Sequence, residues 1–264
     1  MARNTIHRGF VNTPNGQIHY AEAGQGEPVL LLHQTPRSWT EYRDVLPILG
    51  ERFHAIAMDT IGFGDSYRPL VKVSIEHYAS GVADFLDAME IDRTSLVGHH
   101  TGGLIAAEFA ASCPLRVHKL ILSSCPFTDK EDRERRKTSP PIDKATFSPD
   151  GSHLIELWNK RRAFYPKGRA DLIAGFVLDA LKVLDRVEEG HNAVNEYKME
   201  KTTPLITSPT LIMTGTEDPF SFPRMRPLAN AIKGSVTVEI KGGMVPMPEQ
   251  MPDAFSQCIL DFLD

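Results

Sequence analysis

Cysteine is scarce in this sequence, and its scarcity argues against two kinds of site. The 264 residues include three cysteines, namely Cys113, Cys125 and Cys258. Because their number is odd and their spacing wide, neither a disulfide framework nor a cysteine-based zinc site is predicted. Reduced thiols with a structural role fit the pattern better. We expect no metal and no cofactor.

Long hydrophobic runs and an excess of one charge are also missing. Residues 1–10 hold no apolar block of signal-peptide length, and no later run approaches the roughly 20 residues of a bilayer-spanning helix. The net charge is −5, and the stretch 130–137 mixes acidic with basic residues, as a solvated face does. We expect a cytoplasmic protein with a small-molecule substrate and no nucleic-acid or membrane partner. Assembly as a homodimer is left open.

The apolar residues that are present follow the rhythm of an α/β protein. Hydrophobic residues make up 41% of the chain and charged residues 24%, an ordinary composition for one large globular core. Residues 10–11 and 17–21 flank a Pro-Asn-Gly turn, which predicts an antiparallel hairpin. Residues 28–33 are apolar almost throughout, as in a strand of a parallel sheet that is covered on both faces.

Residues 94–104 carry the strongest functional signal. Leu96 and Val97 end a predicted strand, Gly98 and Gly102 stand two residues either side of His100, and a helix-forming segment follows. The glycines allow a sharp backbone turn that lifts the side chain at its apex above the sheet. This pattern resembles the nucleophile elbow of the α/β-hydrolase superfamily, where serine, or less often aspartate or cysteine, occupies the position of His100.

The resemblance implies an α/β-hydrolase fold, with a mostly parallel eight-stranded sheet flanked by helices. It covers residues 1–125 and 209–264, which we predict to form the core. Between them, residues 126–208 lose the alternation of strands and helices but keep apolar residues at helical spacing. This segment is therefore predicted to be a helical cap inserted over the elbow.

Two of the three catalytic positions depart from the superfamily pattern. The resemblance implies the acid at Asp218, after a late strand, but the position of the basic histidine reads Met244. A thioether takes up no proton near neutral pH, so a Ser-His-Asp relay cannot operate. Because imidazole reaches about 2 Å further than a serine hydroxyl, His100 is predicted to enter the space of the missing base and hydrogen-bond Asp218.

A His100–Asp218 dyad predicts proton-transfer chemistry, because the carboxylate would fix the imidazole tautomer and favour the imidazolium. The expected reaction is hydrolysis of a small, partly apolar ester, lactone or C–C-cleavable ketone, with His100 as general base or as nucleophile. Backbone amides of Gln34 and Thr101 are expected to stabilise the oxyanion. Two alternatives are a proton-transfer lyase or isomerase on the same dyad, and a non-catalytic small-molecule binder.

Further side chains are assigned to the neighbourhood of the pocket. His99 is expected to point into the packing beneath the elbow. Acyl transfer through Ser123, Ser124 or Cys125 is a further alternative, but the sequence identifies no base for any of them. Packing roles compete with substrate contact for several of the remaining residues. The predicted substrate-binding residues are His33, Trp39, Ser124, Trp158 and Met244.

Overall fold

One eight-stranded sheet forms the centre of the molecule. The computed structural model describes residues 5–264, so the first four residues of the predicted core segment 1–125 lie outside the described residues. The strands are β1 His7–Thr13, β2 Gly16–Ala23, β3 Pro28–Leu32, β4 His54–Met58, β5 Thr94–His99, β6 Val117–Ser123, β7 Thr210–Gly215 and β8 Val236–Ile240.

The sheet is parallel except at β2. Its strand order is β1-β2-β4-β3-β5-β6-β7-β8, and β2 runs antiparallel to both of its neighbours. Thr13 pairs with Gly16 at the turn of the β1–β2 hairpin, which confirms the predicted hairpin. The fold class predicted from the sequence is therefore confirmed. The carboxyl ends of β3 to β8 all lie at the same edge of the sheet.

The two faces of the sheet are covered by different helices, as the apolar central strands require. Leu30 and Leu32 face one hydrophobic cluster, while Val29 and Leu31 face the other, because side chains alternate along a strand. The first three helices of this core are α1 Leu46–Leu49, α2 Ile75–Ala88 and α3 Thr101–Ser112. Helices α2 and α3 pack on the first face and α1 on the second.

The long segment between β6 and β7 is helical. It contains α4 Lys130–Arg136, α5 Ser152–Arg161, α6 Ala170–Lys182, α7 Glu189–Glu196 and α8 Met199–Thr202. A third hydrophobic cluster, which includes Leu157 and Phe176, lies within it. The predicted division at residues 126 and 208 stays a prediction, although the segment has helices and an apolar cluster of its own.

The chain then returns to the sheet. After β7 come α9 Met225–Ala231, α10 Met247–Gln250 and α11 Pro252–Leu263, and α11 packs beside α1 on the second face. Among residues 5–264, no helix combines the length and the apolar character that crossing a bilayer demands.

Candidate active site

The turn between β5 and α3 presents His100 at the carboxyl edge of the sheet. His100 has φ 47° and ψ −114°, a backbone conformation that non-glycine residues rarely adopt and that is held here by its neighbours. Its backbone N–H donates to the carbonyl of Ser123 at 3.0 Å. A Cβ added at Gly98 would lie 2.2 Å from the carbonyl oxygen of Gly102, so the turn tolerates no side chain there.

The imidazole of His100 contacts the carboxylate of Asp218. Nε2 of His100 lies 2.8 Å from Oδ2 of Asp218, and the two side chains are 12% and 0% exposed. The other carboxylate oxygen accepts the backbone N–H groups of Phe220 at 3.0 Å and Ser221 at 3.2 Å. Burial by itself raises the pKa of Asp218, but the charge and hydrogen bond of His100, together with the Phe220 amide, outweigh it and hold that pKa below its usual value.

This contact decides which ring nitrogen is free. A carboxylate only accepts, so the proton of the neutral ring belongs on Nε2, and the lone pair belongs to Nδ1. Within residues 5–264, Nδ1 of His100 has no hydrogen-bond partner, and it is not sealed from solvent. The geometry can therefore supply a general base whose tautomer is fixed by a carboxylate.

His99 lies beneath the elbow, fully buried, as the sequence indicated. Its Nδ1 lies 2.9 Å from the Ser123 hydroxyl and its Nε2 lies 2.8 Å from the carbonyl oxygen of Val245. Burial lowers the pKa of His99 to about 4, so the ring is neutral near pH 7. Ser123 thus has a histidine partner that sequence reasoning did not identify, but both side chains are 0% exposed and no substrate reaches them.

The loop after β8 carries Met244 where the superfamily has its basic histidine. The backbone N–H of Met244 donates to Oε1 of Gln250 at 2.7 Å, and Nε2 of Gln250 donates to the carbonyl of Gly242 at 2.8 Å. Met244 is half-buried and offers no proton acceptor for acid–base chemistry. These hydrogen bonds fix the loop after β8. Because this loop supplies no histidine, the histidine that contacts Asp218 is His100.

Gln34 differs from its predicted role as an oxyanion donor, because its backbone N–H is already bonded within the protein. Its backbone N–H donates to Oε2 of Glu41 at 2.9 Å, and its side-chain Nε2 donates to Oε1 of Glu41 at 2.5 Å. Glu41 is fully buried and had no place in the sequence-based site. The backbone N–H groups of Thr35, which follows Gln34, and of Thr101, which follows His100, have no acceptor within the described chain. Thr35 therefore has a backbone N–H that is free to donate, whereas that of Gln34 is used.

His33 and Trp39, two of the predicted substrate-binding residues, both have contacts within the protein. Nε2 of His33 accepts the backbone N–H of Thr60 at 2.9 Å, and its Nδ1 donates to the carbonyl of Gln34 at 2.8 Å, so both ring nitrogens are used. The Trp39 ring packs in the hydrophobic cluster on the α1 side of the sheet. The guanidinium carbon of Arg43 lies over this ring, 5.8 Å from its centre. Both side chains therefore have contacts within the protein, and their contact with a substrate stays a prediction.

Ser124 and Trp158 also lie away from an open surface. Ser124 is 0% exposed, and its hydroxyl accepts the backbone N–H of Gly215 at 3.4 Å. Its backbone carbonyl accepts the Ser221 hydroxyl at 2.5 Å, which ties the end of β6 to the turn of the acid. Trp158 is half-buried against the hydrophobic cluster of the helical segment. Ser124 therefore supports the turn that carries Asp218, and Trp158 packs among the helices of the segment between β6 and β7.

A buried charge network beside the site was also missed from the sequence. The guanidinium of Arg37 is 0% exposed; it contacts Glu249 through Nη1 at 2.5 Å and Nη2 at 2.8 Å, and Asp179 through Nε at 3.0 Å. Asp179 also accepts the hydroxyls of Ser38 and Thr40, each at 2.9 Å. These residues are far apart in sequence, so no local signal could have brought them together.

Two groups of side chains have the spacing of metal ligands but are bonded to other groups. Asp59 accepts Nδ1 of His19 at 2.9 Å as well as two backbone amides, and it supports the turn after β4. Asp143 is buried and ion-paired with Arg161 while it contacts His191 at 2.7 Å. The Arg161 guanidinium beside Asp143 repels a cation, and the ammonium of Lys182, 2.8 Å from Oδ1 of Asp65, does the same at the first group.

Comparison with known proteins supports the architecture. A family model described as the alpha/beta hydrolase fold matches residues 27–243. The soluble epoxide hydrolase of Corynebacterium sp. (strain C12) is 38% identical over 106 residues, which are 40% of this chain and 36% of that protein. Haloalkane dehalogenase 2 of Mycobacterium tuberculosis is 25% identical over 279 residues, which cover 96% of this chain and 93% of the dehalogenase.

A solved structure extends the likeness to the whole chain. The enol-lactonase from Burkholderia xenovorans LB400 has a TM-score of 0.81 with this structure at 20% identity, covering 97% of this chain and 99% of its own. The chain therefore spans about a third of the epoxide hydrolase in sequence but nearly all of the lactonase in fold. Because the family model covers well over half of the residues and the sheet has the expected order, the chain belongs to the α/β-hydrolase fold family.

Proposed function

We propose that this protein is a hydrolase of small, partly apolar esters, lactones or C–C-cleavable ketones, in which His100 and Asp218 form a two-residue catalytic dyad. The proposal rests on one observation, the 2.8 Å contact between Nε2 of His100 and Oδ2 of Asp218 at the elbow. The curated relatives support hydrolysis in general, since an epoxide hydrolase and a dehalogenase are among them. A dehalogenase reaction itself is disfavoured, because it needs a carboxylate nucleophile at the apex.

In this reaction, Nδ1 of His100 takes a proton from water while the water oxygen attacks the substrate carbonyl carbon. The carbonyl electron pair moves onto the oxygen; when it returns, the bond to the leaving group breaks. The leaving alkoxide then takes the proton from Nδ1, so ester and water become acid and alcohol and the ring is restored. Asp218 remains ionised and stabilises the imidazolium that exists between the two proton transfers.

The developing oxyanion is stabilised by the backbone N–H groups of Thr35 and Thr101, which have no acceptor in the described chain. Thr101 begins α3, so its amide also belongs to the positive end of that helix. A Cβ added at Gly102 would lie 2.0 Å from the carbonyl oxygen of Leu32 and 2.8 Å from that of His33. The start of α3 is therefore packed directly against the loop that carries Thr35.

Turnover of a panel of short-chain esters, lactones and vinylogous diketones tests the proposal. Wild type is expected to release acid from at least one compound, and His100→Ala is expected to lose roughly 100-fold or more of kcat, the usual contribution of a general base. Asp218→Asn should also lose activity, because an amide can present the wrong group to the ring and cannot balance an imidazolium.

His54→Ala is the matched control. His54 makes the same kind of contact, with Nε2 2.7 Å from Oε2 of Glu22. It is partly exposed at the amino end of β4, and therefore lies at the opposite edge of the sheet from the site. Its loss should leave kcat unchanged. Equal rates for wild type and His100→Ala would contradict the proposal, and ligands that bind but are recovered chemically unchanged would identify a non-catalytic binder.

A further inference from the structure

The helical segment between β6 and β7 contains an open cleft that the proposed dyad does not use. Its volume is about 1680 Å³, more than the roughly 300–1,000 Å³ of an ordinary ligand pocket. Helices α4, α7 and α8 line it together with most of residues 139–147, and Phe220 lines it from the turn after β7. His100 is not among its lining residues, so the cleft is separate from the elbow.

The charged side chains of the cleft carry an excess of positive charge. Nine basic and six acidic side chains line it, although the whole chain has a net charge of −5. All six acidic side chains already accept hydrogen bonds or form ion pairs, namely Glu134, Asp185, Glu188, Glu189, Glu196 and Glu200. Four exposed lysines form no ion pair with any residue that the structure describes, namely Lys130, Lys144, Lys198 and Lys201. This surface therefore attracts an anion.

Large apolar side chains are exposed in the same cleft. Ile142, Phe147 and Phe220 line it, and each exposes a third or more of its surface. Phe220 packs against Phe164, with the two ring centres 4.8 Å apart. A single exposed apolar residue needs no explanation, but several gathered on one concave surface mark a binding site. The cleft thus offers apolar contact and unpaired positive charge together.

Fixed contacts hold one wall of the cleft in place. Asp143, which is fully buried, forms an ion pair with Arg161 and lies 2.7 Å from Nε2 of His191 in α7. Glu188 accepts the backbone N–H of Ile142 at 3.1 Å. Because these contacts form within the protein itself, residues 139–147 are held against α7 before any ligand arrives. Binding then costs little conformational entropy of the protein.

We propose that this cleft is a binding site for an amphipathic carboxylate, a molecule with one carboxylate group and a long apolar chain. The unpaired lysines pair with the carboxylate, while Ile142, Phe147 and Phe220 remove the chain from water. A cationic ligand is repelled by the excess of basic side chains. The inference does not rest on the proposed hydrolase function, since neither His100 nor Asp218 lines the cleft.

Isothermal titration of the full chain with dodecanoate, kept below its micelle-forming concentration, tests the proposal. One dodecanoate per protein should bind at least about tenfold more tightly than dodecyltrimethylammonium, which has the same chain and the opposite charge. Acetate, the carboxylate without the chain, should bind at least about 100-fold more weakly than dodecanoate. Equal affinities for the two dodecyl compounds would overturn the inference. Binding to phosphatidylglycerol vesicles without binding of monomeric dodecanoate would overturn it in favour of a membrane surface.

Neutralising the four unpaired lysines locates the charge contact. The variant that replaces all four should bind dodecanoate at least about tenfold more weakly, and carries Lys130→Gln, Lys144→Gln, Lys198→Gln and Lys201→Gln. The matched control removes the same charge from exposed positions outside the cleft, with Lys167→Gln, Arg226→Gln, Lys233→Gln and Lys241→Gln. Its affinity should stay within about twofold of wild type. An equal loss in both variants would reflect net charge alone and would contradict the assignment.

Phe147→Gln tests the apolar contact in the same titration. Its affinity for dodecanoate should fall at least about fivefold, because the chain loses the ring that covers it. Leu115→Gln is the matched control, since Leu115 is also exposed but lies between α3 and β6, outside the cleft. Both side chains are exposed, so both variants should unfold at the Tm of wild type. Unchanged dodecanoate affinity in Phe147→Gln would refute the proposed site, whatever the outcome of the hydrolase assays.

Discussion

At the scale of single residues, the site follows from two differences from the superfamily pattern. His100 stands where the superfamily has serine and Met244 where it has histidine, and the longer imidazole then reaches Asp218 at 2.8 Å. The sequence predicted this contact because it identified all three positions. It could not predict that Nε2 rather than Nδ1 makes the contact, since that depends on the rotation of the ring within its packing.

His99 provides a prediction about pH and stability. The unfolded chain binds a proton on this ring below its ordinary pKa of 6.5, whereas burial delays protonation in the folded protein until about pH 4. Folding therefore loses stability as pH falls through this window. Between pH 7 and pH 5 the loss due to His99 should be about 2 kcal/mol.

Urea unfolding of wild type and His99→Gln at both pH values measures this contribution. The glutamine variant does not titrate, so the difference between the two free energies of unfolding should narrow by that amount at pH 5. A difference that stays constant across the range would contradict a buried neutral His99.

At the scale of elements, the elbow depends on close contact between α3 and β3. A Cβ at Gly102 would lie 2.0 Å from the carbonyl oxygen of Leu32, which is backbone and cannot move aside. Spacing of glycines in the sequence predicted the turn itself. It did not predict how residues 33–39 would run, and this loop packs the Trp39 ring in the cluster on the α1 side, so substrate contact by Trp39 stays a prediction.

Gly102→Ala should therefore destabilise the fold by about 3 kcal/mol, since α3 must shift away from β3. Gly175→Ala is the matched control in α6, where the nearest heavy atom to an added Cβ is Nη2 of Arg37 at an ordinary 3.5 Å. There the gain in helix propensity should make alanine neutral or stabilising by up to about 1 kcal/mol. Chemical unfolding of both variants tests the contrast, and equal effects would argue against the close contact at Gly102.

At the scale of the whole molecule, a buried guanidinium joins three distant segments. Arg37 belongs to the loop after β3, Asp179 to α6 in the predicted cap, and Glu249 to α10 after the Met244 loop. Burial raises the pKa of Glu249, and the charge of Arg37 opposes that rise. Helix α6 of the predicted cap is thus joined by one charge contact both to the loop after β3 and to α10.

Arg37→Met should cost about 3–5 kcal/mol of unfolding free energy, because two carboxylates remain buried without a cation. Arg52→Met removes a guanidinium of the same kind from Asp264 on the surface, where both side chains are about half exposed, and should leave the free energy of unfolding almost unchanged. Denaturant unfolding of the two variants distinguishes a buried network from an ordinary ion pair. A cost for Arg37→Met that matches the surface control would contradict its structural role.

The sequence by itself determined the α/β fold, the elbow with His100 at its apex, and the pairing of His100 with Asp218. These features depend on local spacing, namely alternation within strands and glycines around a turn, and on positions within a known pattern. The tertiary structure alone decided which groups of the β3 loop remain free. Glu41 accepts the backbone N–H and a side-chain N–H of Gln34, because the folded loop brings two residues that are seven apart in the sequence into contact.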